Sequence, residues 1–470
     1  MVRLYDTVAR AAVTIEPITP GVLRVYACGP TVYRDAHVGN MRTFLVTDLI
    51  TRVAQDEGVR TQVVQNITDV GHMADDTGLG GVDEGQGGAE DRVVREAETT
   101  GSSAYDVARR YEASFHRDLS ALNIHPADEY PRASDWIDAM IELIGQLIAS
   151  GHAYVGDDGS VYFDVRSVPD YGRISGNRIE DLRAGHKFDA DAPTAKRFHA
   201  DWALWKHAGD TRTQMVWDTP WGRGFPGWHI ECSAMSVRLL GPSIDIHTGG
   251  IDLRFPHHED ERAQSNASVG HEVVNTWVHA EHLLFDGRKM SKSAGNVVLV
   301  DDVVERGIDP LALRLAFLQH RYRQQMNLTW SVIEGAATTL SRWRVRVAEW
   351  ATSPSRPIPD AWRDEFRSAV ADDLDTPRAL QVLHQVERDP EDAGAKFEFF
   401  VWADRILGLD MARDVGRTRE VPEEILDLLE DRARARAAKD WTESDAIRIR
   451  ILELGYQVTD GPEGQTVQPR

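Results

Sequence analysis

The sequence contains only two cysteines, Cys28 and Cys232, among 470 residues, and it contains no hydrophobic run long enough to span a bilayer. Two cysteines cannot build a disulfide framework, and nothing in the sequence indicates an oxidising compartment. The N-terminus also lacks the pattern of a secretory signal. We therefore expect a cytoplasmic protein that does not associate with membranes.

Positive charge is also scarce, because 53 Lys and Arg residues face 75 Asp and Glu residues and give a net charge of −22. This balance argues against binding of nucleic acid by bulk attraction, although basic residues gathered on one face would still permit an RNA enzyme. We find no internal repeat of 20–50 residues, which excludes a solenoid. The length predicts two to four domains.

Apolar periodicity near the N-terminus predicts a strand over residues 21–28, a helix over 40–57 and a second strand over 61–67. This order is a βαβ unit, which predicts an α/β fold with a Rossmann-like parallel sheet. His37, Gly39 and Asn40 lie where the loop becomes the helix. Backbone N–H groups and the positive helix end favour a phosphate there, and His37 adds a hydrogen-bond donor.

The region after this unit has the features of an insertion between two halves of the sheet. Residues 75–98 are acidic and rich in glycine, which predicts a mobile surface loop. Residues 134–151 predict a helix with Ser134 as its N-cap and Gly151 as its end. Residues 154–163 predict a β-hairpin that turns at Asp158-Gly159.

Cys232 is followed by a His/His/acid cluster at residues 257–261. On a helix, His257 and Glu261 share one face. Thiolate, imidazole and carboxylate are zinc ligands, and Cys28 could complete a tetrahedral set. The residues alone leave two other interpretations open: Cys28 and Cys232 as buried apolar thiols beside a solvated helix turn, or a metal site in which His258 or Glu259 is the ligand.

Two lysines, Lys289 and Lys292, lie three residues apart among small residues in Lys289-Met290-Ser291-Lys292-Ser293. Such lysines can bracket a triphosphate and follow its charge as a bond breaks. From Pro310 onward the pattern is mainly helical, with a break at residues 353–359. A helical pair at residues 424–453 bears six basic side chains that together could contact RNA phosphates; these are Arg432, Arg434, Arg436, Lys439, Arg448 and Arg450.

Read together, these segments resemble the class I aminoacyl-tRNA synthetases, and among them the cysteinyl-tRNA synthetases. The resemblance covers nearly the whole chain, and the motifs occur in the family's order. The matching segments are residues 28–33, 66–70, 227–233, 249–250, 255–261 and 288–296.

The resemblance implies a role for each matching residue. It places the zinc ligands at Cys28, Cys232, His257 and Glu261, and the amino-acid pocket at Thr68 and Trp228. His37, Gly39 and Asn40 match the family's "HIGH" signature, and Lys289 and Lys292 lie in its "KMSKS" signature; all five are candidate catalytic residues. The candidate ATP-binding residues are His37, Gly39, Gly250, Asp252 and Lys292.

The family's reaction is the activation of L-cysteine by ATP, with Mg²⁺, and transfer of the cysteinyl group to tRNA(Cys). One Zn²⁺ per chain would select cysteine over serine, because a soft thiolate ligates zinc far better than a hydroxyl does. The resemblance further implies a monomer. Its implied domains are the two halves of the catalytic domain (1–120 and 201–310), a connective insertion (121–200), a helical bundle (311–412) and an anticodon-binding segment (413–470).

Three positions depart from the family's pattern. Asn40 replaces the last histidine of the signature, Gly71-His72-Met73 replaces an acidic pair and a lysine, and Ile251 replaces a serine. Two other functions remain as alternatives: a ligase on the same scaffold that joins cysteine to an amino-sugar (mycothiol-type), and a catalytically silent RNA-binding paralogue. The C-terminal segment disfavours the first, and the intact signatures and ligands disfavour the second.

Overall fold

The computed structural model describes residues 2–73, 91–182, 195–210, 212–290, 295–417, 422–454, 456–461 and 464–469. Within these residues the strands are, in chain order, β1 (Arg3–Asp6), β2 (Ala11–Thr14), β3 (Val22–Ala27), β4 (Arg60–Gln65), β5 (Ala153–Val155), β6 (Val161–Phe163), β7 (Trp202–His207), β8 (Trp217–Thr219), β9 (Gly222–Pro226), β10 (Ile244–Gly250), β11 (Val274–Ala280), β12 (Leu283–Phe285), β13 (Arg288–Lys289), β14 (Met326–Leu328), β15 (Tyr456–Gly461) and β16 (Gly464–Pro469).

The helices of the same residues are α1 (Val38–Asp56), α2 (Arg92–Thr100), α3 (Ala104–Ala121), α4 (Ile137–Ala149), α5 (Trp228–Leu240), α6 (His257–Val269), α7 (Val300–Glu305), α8 (Pro310–Leu318), α9 (Trp330–Trp350), α10 (Asp360–Ala371), α11 (Thr376–Arg388), α12 (Ala393–Leu407), α13 (Glu423–Ala437) and α14 (Trp441–Glu453). Considered one by one, these helices include none that combines the length and hydropathy needed to cross a membrane.

A four-stranded parallel sheet with the strand order β11-β10-β3-β4 lies at the centre of the fold. The predicted βαβ unit is confirmed, because α1 connects the parallel neighbours β3 and β4. Strand β10 is buried along its whole length, as expected for a parallel strand covered on both faces. The carboxyl ends of parallel strands meet at one edge of the sheet, and ligands bind beyond that edge in such folds.

The chain between β4 and β10 leaves this sheet and forms a second one with the order β5-β6-β7-β9-β8. The predicted hairpin is confirmed, because β5 and β6 pair antiparallel and Gly159 adopts a positive φ of 79° in their connection. The predicted N-cap is wrong. Helix α4 begins at Ile137, whereas Ser134 donates its hydroxyl to Asp69 at 2.6 Å and its backbone N–H to the same carboxylate at 2.8 Å.

The acidic loop predicted at residues 75–98 lies partly outside the described residues. Its described end is helical rather than irregular, because residues 92–100 form α2. Asp91 caps this helix by accepting the backbone N–H groups of Val93 and Val94. A polar side chain that satisfies these otherwise unpaired donors stabilises a helix start.

The C-terminal part is mainly helical, as predicted, and the predicted break falls between α9 and α10. Helices α13 and α14 form the predicted pair and are followed by the hairpin β15-β16. Their small apolar cluster is separate from the main core and consists of Ile425, Ile447, Ile451 and Val458.

A buried ionic cluster fastens α1 to the helical region. The Asp48 carboxylate on α1 accepts hydrogen bonds from Arg52 at 2.9 Å and from Arg314 of α8 at 2.6 Å. Arg314 also donates to the backbone oxygens of Leu122 and Leu407, so it links α1, the end of α3 and the end of α12. Burial acts to raise the pKa of Asp48, but the two guanidinium groups outweigh it and hold the pKa below its usual value.

Candidate metal, amino-acid and nucleotide site

Four potential metal ligands meet at the carboxyl edge of the central sheet. Cys28 follows β3, Cys232 lies on the second turn of α5, and His257 and Glu261 lie one turn apart on α6. All four side chains are buried, and their ligand atoms lie within 4.8 Å of one another. These are the four residues that the resemblance assigned to zinc.

Two of the spacings among these ligand atoms suit a tetrahedral zinc ion, and one is shorter. Zinc bonds of about 2.0–2.3 Å in a tetrahedron place neighbouring ligand atoms roughly 3.3–3.7 Å apart. Cys232 Sγ lies 3.6 Å from His257 Nε2, and Cys28 Sγ lies 3.6 Å from Glu261 Oε1, whereas His257 Nε2 and Glu261 Oε1 are 2.8 Å apart. Two sulfurs, one imidazole nitrogen and one carboxylate oxygen therefore fit the proposed metal in type and number.

The two alternative ligands behave differently from each other. Glu259 points away from the cluster, because its Oε2 accepts the backbone N–H groups of Ile174 and Ser175. His258 does face the cluster, with its Nε2 3.2 Å from Cys28 Sγ. Together with His247 it forms a second possible ligand group that shares Cys28 and Glu261 with the first.

The electrostatics of the four residues reflect both burial and their mutual contacts. Burial raises the pKa of Cys28 well above its usual value. Burial acts in the same direction on Cys232, but the hydrogen bond from Cys28 opposes it and leaves the pKa of Cys232 at about 7. Burial also acts to raise the pKa of Glu261, yet the imidazoles of His257 and His247 hold it well below its usual value. Burial acts to lower the pKa of His257, but Glu261 and Cys232 outweigh it and raise the pKa to about 10. His257 must therefore release a proton when it binds a cation beside the Glu261 carboxylate.

The predicted amino-acid pocket residues lie beside this cluster. The Trp228 ring stacks on His257 with centroids 4.0 Å apart, and on its neighbour His72 at the same distance with the rings 7° from parallel. Thr68 donates its hydroxyl to Glu231 Oε2 at 3.0 Å and accepts from Asn66 at 3.0 Å. The Thr68 hydroxyl is therefore fixed in orientation next to an aromatic wall and the metal ligands.

The nucleotide signature lies at the first turn of α1. His37 is the N-cap: its Nδ1 accepts the backbone N–H of Asn40 at 3.2 Å, and the side-chain Oδ1 of Asn40 accepts the backbone N–H of His37 at 3.1 Å. Asn40 thus completes a capping box in place of the family's histidine. Burial, followed by the charge of Arg34, lowers the pKa of His37 to about 4. His37 is therefore neutral at pH 7, and because Nδ1 is an acceptor, its proton lies on Nε2.

The described start of the lysine signature, Lys289 and Met290, lies close to the first turn of α1. A Cβ atom on Gly39 would lie 3.0 Å from the Met290 methyl group, so residue 39 closely approaches the segment that contains Lys289. A Cβ on Gly250 would lie 2.3 Å from Asp252 Oδ1. Lys289 and Asp252 are both exposed and both act electrostatically on His37. Lys292 lies outside the described residues.

Several buried polar residues of this site were not predicted from the sequence. His229, His247 and His279 surround the metal ligands: His229 Nδ1 lies 2.8 Å from His257 Nδ1, and His279 Nε2 lies 2.8 Å from His258 Nδ1. Among the described residues, Glu231 Oε1 and His72 Nε2 are buried without a hydrogen-bond partner. The available signal was weak, because His247 and His279 lie in strands that also contain other polar residues, such as Asp245 and Thr276.

Comparison with known proteins identifies the family. The family described as "tRNA synthetases class I (C) catalytic domain" matches residues 14–76 and 86–338. "Cysteine--tRNA ligase 1" of Burkholderia lata is 42% identical over 468 residues, covering 98% of this chain and 96% of the relative. "Cysteine--tRNA ligase" of Thermus thermophilus is 42% identical over 487 residues, covering 98% of each chain.

The chain belongs to the cysteine–tRNA ligase family. The family's "Cysteinyl-tRNA ligase anticodon binding domain" matches residues 418–467. The fold is shared more widely among class I synthetases: Mycobacterium tuberculosis methionyl-tRNA synthetase in complex with methionyl-adenylate superposes with a TM-score of 0.55 at 17% identity, covering 87% of this chain and 94% of that chain.

The arginines of the family's C-terminal segment do not share one role. Arg432 has a side chain only 2% exposed, and it donates to Asp460 and Gln465 of the terminal hairpin. It therefore holds the hairpin against α13. Arg448 and Arg450 on α14 are exposed and stay candidates for contact with RNA.

Proposed function

We propose that this chain activates L-cysteine with ATP to form cysteinyl-adenylate and then transfers the cysteinyl group to tRNA(Cys). The observation that supports this most strongly is the position of a buried zinc-type donor set beside the helix end that bears the nucleotide signature. Family membership over the whole length supports the same reaction. We further propose that the chain acts as a cytoplasmic monomer with one Zn²⁺, and that Mg²⁺ accompanies ATP.

Cys28, Cys232, His257 and Glu261 are the residues that would hold the zinc ion. When bound, zinc supplies a soft Lewis acid that ligates the substrate thiolate but not a serine hydroxyl. A pocket without such a ligand separates near-isosteric substrates by only about 1–3 kcal/mol. Selection of about 10⁴-fold requires on the order of 6 kcal/mol.

The protein's own residues position the amino acid. Trp228 presents an aromatic face beside the metal ligands, and the Thr68 hydroxyl, oriented by Asn66 and Glu231, offers a lone pair to the substrate ammonium. Binding of the ammonium and the thiol leaves the carboxylate as the part of cysteine that faces the nucleotide. This arrangement brings the attacking oxygen to the α-phosphorus, where positioning alone contributes a large rate effect.

The nucleotide residues stabilise charge on the phosphates. The Nε2–H of neutral His37 and the N-terminal backbone N–H groups of α1 are donors for phosphate oxygens. Lys289 and Lys292 follow the charge as pyrophosphate departs, and Gly39 and Gly250 allow the nucleotide close to the backbone. No protein nucleophile is required. The terminal ribose hydroxyl of tRNA then attacks the adenylate and releases AMP.

The central experiment supplies the zinc-loaded protein with labelled cysteine, ATP and total tRNA. We expect acid-precipitable label that RNase removes. Cysteine-dependent pyrophosphate exchange without labelled RNA would contradict tRNA as the acceptor and favour the amino-sugar ligase. Absence of both activities would favour a silent RNA-binding paralogue.

Two variants test the assigned roles. Cys232→Ala should lose zinc and the selection of cysteine over serine together; retained selection without zinc would disprove the role of the metal. Lys292→Ala should slow pyrophosphate exchange with little loss of cysteine binding, whereas Arg346→Ala, which removes an exposed cation on α9, should leave exchange unchanged.

A further inference from the structure

Helix α6 contacts two parts of the molecule. His257 and Glu261 face the candidate metal site, whereas Glu259, Asp260 and Arg262 bind the connective segment at 168–177. Glu259 Oε2 accepts the backbone N–H groups of Ile174 at 2.9 Å and Ser175 at 2.7 Å. Arg262 donates to Asp170 at 2.6 Å. The insertion is therefore attached to the same helical turns that carry two metal ligands.

A chain of buried side chains leads from this segment to the metal ligand His257. The Tyr171 hydroxyl donates to Asp260 Oδ1 at 2.5 Å. Asp260 Oδ2 lies 3.3 Å from His229 Nε2, and His229 Nδ1 lies 2.8 Å from His257 Nδ1. All four side chains are buried, so no solvent competes for these contacts.

Ligation of zinc through His257 Nε2 would set the order of donors and acceptors in this chain. His257 Nε2 lies 3.6 Å from Cys232 Sγ and 2.8 Å from Glu261 Oε1, so a bound ion would take its lone pair and leave the proton of His257 on Nδ1. That N–H then donates to His229 Nδ1, and the proton of His229 lies on Nε2, facing Asp260. A carboxylate at Asp260 accepts both this N–H and the Tyr171 hydroxyl.

We propose that Tyr171 and Asp260 are positioning residues that fix the metal-binding tautomer of His257, and that the connective insertion thereby helps to retain the metal. The proposal rests on the zinc site proposed above. Hydrogen bonds from outer groups to a ligating histidine typically change metal affinity by about 10–100-fold.

Tyr171 also has a packing role, since its ring stacks near Trp202 with centroids 5.7 Å apart. The substitution Tyr171→Phe keeps the ring and removes only the hydroxyl. A matched control exists within the same insertion: the Tyr154 hydroxyl donates to the buried carboxylate of Asp201 at 2.6 Å and accepts the backbone N–H of Arg197. Among the described residues, neither partner hydrogen-bonds to a candidate metal ligand. Tyr154→Phe therefore removes an equivalent hydroxyl at a position where metal retention should not change.

The test measures zinc release from the full-length, zinc-loaded protein into a chromogenic chelator. We expect Tyr171→Phe to release zinc about 10-fold faster than wild type, and Tyr154→Phe to match wild type. Asp260→Asn should release it faster still, because an amide N–H can donate to His229 Nε2 and reverse the chain. In the Co²⁺-substituted protein, Tyr171→Phe and Asp260→Asn should alter the visible ligand-field bands, a change that loss of packing alone would not produce.

Equal release rates for wild type, Tyr171→Phe and Asp260→Asn, with unchanged Co²⁺ spectra, would overturn the proposal and leave the proposed function intact. Equal acceleration by Tyr154→Phe would also overturn it, because the effect would then be general loosening of the insertion. Wild-type protein that binds no zinc would overturn the relay and the zinc site together. Aminoacylation, measured separately, reports on the enzyme's reaction.

Discussion

At the scale of single residues, the protonation of His37 determines what it can offer a nucleotide. Its pKa of about 4 makes it a neutral donor through Nε2. We expect His37→Ala to reduce the rate of pyrophosphate exchange about 10²-fold with little change in cysteine binding. The exposed His271, which contacts only the Pro242 carbonyl among the described residues, provides the control His271→Ala.

The pH profile gives an independent check on His37. Because His37 stays neutral between pH 5.5 and 8, its protonation should add no step to the pH profile of the exchange rate in this range. The profiles of wild type and His37→Ala should therefore have the same shape. Because the folded pKa lies below the unfolded value of about 6.5, the folded state resists protonation of this residue. The corresponding stability is present above pH 6.5 and is lost as pH falls toward 4.

Asp118 on α3 shows the opposite behaviour. Burial, followed by the charges of Asp301 and Asp35, raises the pKa of Asp118 to about 7. The folded state therefore binds this proton more tightly than the unfolded chain does, and stability falls as pH rises from about 4 to 7. We expect Asp118→Asn to stabilise the protein by about 1–2 kcal/mol at pH 8 after allowance for solvent screening, with little effect at pH 4. Thermal unfolding at both pH values measures this; an equal effect at both would contradict it.

The sequence predicted the residues of the candidate metal site unevenly. Spacing alone placed His257 and Glu261 on one helical face but left His258 and Glu259 as alternatives, and only the resemblance to a family separated them. The structure explains why Glu259 does not join the cluster: its carboxylate accepts a backbone N–H group from a segment more than 80 residues away in the chain. The contacts of His229 and Asp260 were not predictable, since they depend on how α5, α6 and the insertion pack together.

At the scale of elements, the approach of the Cys28 loop to the end of β4 depends on Gly29. A Cβ atom at this position would lie 1.6 Å from the Asn66 backbone oxygen. We expect Gly29→Ala to displace Cys28 and abolish tight zinc binding, measured as metal content after dialysis. Gly145→Ala in α4 is the control, because a Cβ there meets nothing within 4 Å and should stabilise the helix by about 0.5–1 kcal/mol. Retained zinc in Gly29→Ala would contradict this view of the loop.

Element types were more predictable than element ends. The βαβ unit, the hairpin and the terminal helical pair follow from local periodicity. Ser134 has the side chain of an N-cap, yet Asp69, which is distant in sequence, takes both its hydroxyl and its N–H. A long-range carboxylate thus moved the start of α4, and no local pattern contains that information.

At the scale of the whole molecule, Arg314 joins α1 to the helical C-terminal part. Its guanidinium is fully buried and bonded to Asp48 and to three backbone carbonyl groups, those of Leu122, Asn123 and Leu407. Removal of one partner of a buried ion pair leaves an uncompensated charge, so we expect Arg314→Leu to lower the free energy of unfolding by about 3 kcal/mol. Arg346→Leu breaks an exposed pair with Glu349 and should cost about 0–1 kcal/mol.

Urea unfolding followed by tryptophan fluorescence and by circular dichroism separates these outcomes. If the two methods give the same transition in wild type but two different transitions in Arg314→Leu, this residue makes the central sheet and the helical region unfold together. A midpoint unchanged from wild type would contradict the importance of the cluster.

The strand order β11-β10-β3-β4 has a consequence during synthesis on the ribosome. Strand β3 acquires its second neighbour, and Cys28 the other three candidate ligands, only after roughly 220 further residues have been translated, which takes about 10–40 s at 5–20 residues per second. Throughout that interval one edge of β3 lacks its partner and the first thiol is alone, and an unpaired strand edge invites pairing with other chains. We therefore expect the N-terminal unit to benefit from protection by the ribosome or by chaperones until α6 has emerged.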